Sequence, residues 1–123
     1  MNLYFKIILF LFISLFFVKS AHAAVLYLDP ASETYYQNET FSIKIRIDTQ
    51  GECVNAVEAT LTFPEEIFEV VQTSKGGSIV TFWTKEPKVS QKEGLISFVG
   101  GMPGGYCGKV TGDPGESDLI ASL

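Results

Sequence analysis

The segment Phe41 to Asp48, FSIKIRID, alternates without a break. Phe41, Ile43, Ile45 and Ile47 fall on one side; Ser42, Lys44, Arg46 and Asp48 fall on the other. Strict period-two alternation predicts a β-strand with one buried face and one solvent face. Cys53 to Phe63 repeats the pattern, with Val57, Ala59, Leu61 and Phe63 on the core side. Its other side, Ala56, Glu58, Thr60 and Thr62, is small, polar and flat. Such a face is either solvent cover or a docking surface. Solvent cover is the commoner outcome, because Thr favours strands for its own reasons.

The same reading predicts short strands at AVLYL (Ala24 to Leu28), IFEVV (Ile67 to Val71) and SIVTFWT (Ser78 to Thr84). LISFVGG (Leu95 to Gly101) and the terminal DLIASL are two more. Pro64 and the pair Glu86-Pro87 read as strand stops, since proline cannot donate to a ladder. SKGG, KVSQKEG and the Gly/Pro-rich run from Met102 to Ser117 read as turns and loops. No helical periodicity appears after residue 23. Short strands at regular spacing predict an all-β fold, a β-sandwich. The chain stops inside its last predicted strand with no polar tail, so the domain is expected to be incomplete at its C-terminus.

The N-terminus changes the chemistry. MNLYFK supplies a positive charge, Ile7 to Val18 is apolar except for Ser14, and Ala21-His22-Ala23 ends the run. A charged start, an apolar stretch and an A-x-A end form the secretory pattern, with cleavage expected after Ala23. The stretch falls short of the roughly 20 apolar residues of a membrane span. An uncleaved signal-anchor is the alternative. The expected organisation is a signal peptide at 1–23 and one domain at 24–123, secreted or held at the cell surface. Lys6 and Lys19 would leave with the signal, so seven basic residues would face all 14 acids, a net charge of −7. That balance opposes nucleic-acid binding and attraction to anionic membranes. The single histidine, His22, would leave too. Ser-His-Asp and Cys-His nucleophile systems are thereby excluded, as are imidazole zinc sites. Cys53 and Cys107 are the only cysteines, and in an oxidising compartment they are expected to pair. Two free buried thiols are the alternative.

Several stretches from Tyr36 to Gly101 together resemble a cohesin domain. NETFSIKIRID is similar to the family's second strand and its preceding turn, with Asn38 where the family usually has Gly. VNAVEATLTFPEEIFEVV resembles the next two strands, and GLISFVGG the strand of pattern G-x-I-x-F. The cysteine pair is not typical of the best-known cohesins. The resemblance implies jelly-roll topology of roughly nine strands, of which this chain would supply about seven. It also implies a non-catalytic module that docks a dockerin, a small calcium-containing partner, on one flat sheet face. That face would carry Glu58 and Thr60, with Leu95, Ser97 and Val99 on the neighbouring docking strand. Ala56 departs from the polar residue often found at its position. No cofactor is implied for this chain itself, and calcium would enter through the partner. The related fold of carbohydrate-binding modules offers a second expectation, glycan contact through Trp83 or Tyr106, with a polysaccharide as the ligand. A structural envelope domain without a specific ligand is a third.

Other candidates are weaker. Of Phe82 and Trp83, alternation sends one into the core. Asp113, Glu116 and Asp118 are oxygen donors of the kind calcium takes, but they lack a known loop spacing, and a solvated turn is the commoner reading. Glu65-Glu66 are adjacent on a turn and cannot flank a glycosidic bond from opposite sides. Asn38-Glu39-Thr40 fits a glycosylation acceptor, which has meaning only where the host has that machinery.

Overall fold

The structure, a computed structural model, describes residues 2–4, 6, 23–109, 112 and 117–123. The cleavage expectation at residues 1–23 and the calcium candidates Asp113 and Glu116 therefore lie largely or wholly outside the described residues. Among the described residues six strands form two antiparallel sheets. The strands are β1 (Val25–Asp29), β2 (Lys44–Asp48), β3 (Val54–Thr62), β4 (Phe82–Ser90), β5 (Leu95–Tyr106) and β6 (Leu119–Ser122). One sheet has the order β1-β2-β6, the other β3-β5-β4. Their inner faces enclose one core. Ile45 and Ile47 of β2 and Ile120 and Ala121 of β6 meet Val57 of β3 and Phe98 and Met102 of β5, with Val80 between them. The chain is thus an all-β sandwich.

The alternation of FSIKIRID fixes which face of β2 enters that core, and Ile45 and Ile47 are buried. The terminal strand β6 is not an edge. It pairs with β2 on one side, and on the other Ile79 donates to the Leu119 carbonyl (2.9 Å) while Ser74 and Ser122 bridge. Leu119, Ile120 and Ala121 are accordingly all buried.

Three local expectations fail, each for a physical reason. IFEVV forms no strand, and Ile67 and Val71 are exposed. The N–H groups of Ile67 and Phe68 turn back to the Pro64 carbonyl (3.1 and 3.0 Å). Gln91 then occupies the place of a strand partner: its amide accepts from Val70 N–H (3.1 Å) and donates to the Phe68 carbonyl (2.8 Å). Second, β4 starts at Phe82 and runs through Glu86-Pro87. It is an edge strand whose register against β5 shifts twice, between Trp83 and Lys85 and between Lys85 and Lys88. Proline is tolerated at such edges and bulges. Third, β5 does not stop at Gly101 but continues to Tyr106, where the partner of Val54 is Tyr106 and that of Ala56 is Gly101. The glycines at 104 and 105, both at positive φ, let the chain bulge there and rejoin the ladder. The bulge delivers Cys107 to Cys53, and the two form the expected disulfide.

Candidate functional site

Cross-strand register on the β3-β5-β4 sheet sorts its outer side chains into rows. Ala56, Gly101 and Phe82 form one; Glu58, Val99 and Lys85 the next. Thr60, Ser97 and Lys88 follow, then Thr62, Leu95 and Ser90. Glu58, Thr60, Leu95, Ser97 and Val99 therefore lie together on one exposed sheet face, with directly opposed residues about 5 Å apart. Glu58 and Thr60 are exposed; Leu95, Ser97 and Val99, on the central strand, are half-buried. Central-strand side chains are flanked on both sides, which explains the difference.

Register also adds residues that the sequence pattern did not bring to this face. Lys85 and Lys88 stand across β5 from Glu58 and Thr60. Neither makes an ion pair among the described residues. A shallow depression lies between Thr60, Ser97 and Leu95 on one side and Lys85, Lys88 and Glu93 on the other. Phe82 projects from the end row and is 62 % exposed. The face thus carries one acid, Glu58, on β3, two lysines on β4, and Leu95 and Val99 on either side of Ser97 down the middle. The two β4 bulges obscured this, because simple alternation through Pro87 puts Lys85 and Lys88 on opposite sides. Between them the Lys75–Glu86 ion pair ties β4 to the preceding turn.

The aromatic candidates have different surroundings. Trp83 turns toward the core, its ring edge-on to Phe98 with centroids 6.1 Å apart and planes at 78°. It also covers Gly100, where an added Cβ would lie 3.2 Å from the indole and 2.4 Å from Val80 Cγ1. Tyr106 packs against the core with its hydroxyl buried.

The strongest polar cluster sits on the opposite sheet. Arg46 lies on the outer face of β2, as alternation requires, yet it is only 7 % exposed. Its Nη1 donates to Asp118 Oδ1 (2.7 Å) and its Nε to Asp29 Oδ2 (2.9 Å). Tyr27, opposite Arg46 in the β1–β2 ladder, donates its hydroxyl to Asp118 Oδ2 (2.8 Å), and Lys109 Nζ lies 3.4 Å from Oδ1. Burial alone would raise the Asp118 pKa, but the hydrogen bonds from Tyr27 and Arg46 and the charges of Lys109 and Arg46 outweigh it. Its carboxyl is held below the usual aspartate value. The Tyr27 phenol is pushed up to about 12 by burial, then by its bond to Asp118 and that carboxylate's charge. Asp118 is thus engaged as an acceptor for three cationic or phenolic donors, a latch between strands. Among the described residues no group of three or more His, Cys, Asp or Glu side chains is arranged to hold a metal ion.

The chain matches no protein-family model, and no curated protein and no solved structure matches it.

Proposed function

We propose that this protein is a secreted, non-catalytic binding module of the cohesin type, which docks a dockerin-like protein on the outer face of the β3-β5-β4 sheet. The jelly-roll connectivity, the signal peptide at 1–23 and supply of calcium by the partner belong to the same reading. One observation carries it: the five residues singled out by the resemblance, Glu58, Thr60, Leu95, Ser97 and Val99, occupy adjacent rows of one exposed face. An apolar centre between charged margins is the usual anatomy of a protein interface. The partner that fits presents a basic group toward Glu58 and acidic groups toward Lys85 and Lys88, with an apolar patch over Leu95 and Val99. Opposed charges of this kind set orientation and association rate more than affinity.

A glycan-binding reading is the second, and Phe82 favours it over Trp83, since the exposed ring is the one free to stack on a sugar. The two readings part on mutation. Glu58→Arg and Lys88→Glu weaken a protein partner by about tenfold or more and leave a glycan site at Phe82 intact. Phe82→Ala abolishes glycan binding. Isothermal titration of the full chain against host secreted fractions and soluble polysaccharides reads both; glycan binding insensitive to Glu58 and Lys88, without any protein ligand, refutes the docking reading.

A further inference from the structure

The two edges of the β3-β5-β4 sheet are built differently. β4 carries Pro87, Lys85, Lys88 and two bulges, all devices that block strand addition. β3 has none of these from Ala56 to Thr62: its register against β5 is unbroken there, without proline or lysine. Phe63 donates its N–H to the Gly94 carbonyl (2.9 Å), which sets the phase of the ladder. Leu61, Ala59 and Val57 therefore exchange bonds with Ile96, Phe98 and Gly100. The backbone N–H and C=O groups of Ala56, Glu58, Thr60 and Thr62 then point away from β5, and no backbone group among the described residues bonds to them. Ala59 and Leu61, although on the core side, are only half-buried at this margin.

About Ala59 this edge is symmetric in its apolar positions and sets an acid against a hydroxyl. Val57 and Leu61 flank it at two positions, Glu58 and Thr60 at one. We infer that β3 pairs antiparallel with β3 of a second copy of this chain, joining the two three-stranded sheets into one continuous sheet. With the twofold axis at Ala59, Glu58 faces Thr60 of the second copy, and Ala56 faces its Thr62. On the core side Val57 meets Leu61 of the second copy, and the two alanines meet at the axis. An axis at Glu58 is disfavoured, because it would set two carboxylates directly opposite. The pairing leaves the outer faces of both sheets side by side and open, so it is independent of what docks there.

Sedimentation velocity of the full chain over a wide concentration range tests this. Thr60→Pro removes an N–H that points to the open edge while sparing every bond to β5. The wild type is expected to dimerise with concentration, and Thr60→Pro to weaken the dimer about tenfold or more. Thr60→Lys, placed twice opposite Glu58, tightens it severalfold, and Thr60→Glu loosens it by a similar factor. These two exposed substitutions carry the test if circular dichroism finds Thr60→Pro unfolded. A monomer at every concentration overturns the inference, as it would if a strand of another protein or a further segment of this one occupied the edge. A dimer that responds equally to Thr60→Lys and Thr60→Glu overturns it as well.

Discussion

Replacing Asp118 by alanine removes one carboxylate from a guanidinium that has almost no access to water. Arg46 and Asp118 are 7 % and 4 % exposed, and their bond is 2.7 Å long. Deleting one member of a buried pair costs about 3–5 kcal/mol, because the remaining charge keeps its desolvation penalty and loses its partner. Here Asp29 still holds Arg46 Nε at 2.9 Å, and its carboxylate, about half-exposed, keeps part of the compensation. The low end, about 3 kcal/mol, is therefore expected. Lys109→Ala is the control, since its contact with Asp118 is 3.4 Å long and its side chain is 45 % exposed. Surface pairs of that kind contribute at most about 1 kcal/mol. Urea unfolding followed by circular dichroism, with matched slopes, measures both variants. The pH dependence adds a second readout. The Asp118 pKa is lowered in the fold, so its contribution is present above the ordinary aspartate value and is lost as pH falls through the lowered one. Asp118→Asn should flatten that acid limb. If Asp118→Ala costs no more than Lys109→Ala, the cluster is not the latch described and the reasoning is wrong.

Three further outcomes follow from local geometry. Gly100→Ala should destabilise by about 1–3 kcal/mol in the same urea assay, because its Cβ would meet Val80 and the Trp83 ring in a filled core. Reducing Cys53–Cys107, which closes a separation of 54 residues, should cost about 4 kcal/mol on the loop-entropy model, read as a fall in urea midpoint after reductant. On the alkaline side Tyr27, pushed up to about 12, contributes stability below the ordinary tyrosine value near 10, which is lost as pH rises through about 12; Tyr27→Phe should lose that component in a pH titration of stability.

Local patterning carried the strands whose neighbours agree with it. The Val54–Thr62 stretch could be read because alternation and burial coincide there, and in FSIKIRID Ile45 and Ile47 follow the same rule. Arg46 escaped, since alternation sends it outward and cannot reveal that Asp118, 72 residues away, will cover it. IFEVV has strand composition, but a glutamine amide takes two of its backbone groups and no strand among the described residues pairs with it. Pro87 read as a stop because nothing local distinguishes a strand's end from a bulged edge. On the candidate face, Glu58 and Thr60 were legible from alternation and Leu95, Ser97 and Val99 from the resemblance. Lys85 and Lys88 needed the register of β4 against β5, which two bulges set and no pattern encodes.

On the proposed function the β3-β5-β4 outer face docks a protein. The most direct measurement immobilises the full, oxidised chain in calcium buffer, verifies its fold by circular dichroism, and exposes it to the host's secreted proteins. Elution with a calcium chelator is expected to release one specific protein from the wild type and little or none from Glu58→Arg or Lys88→Glu bait. No release from folded wild-type bait, or equal release from all three, would contradict the account.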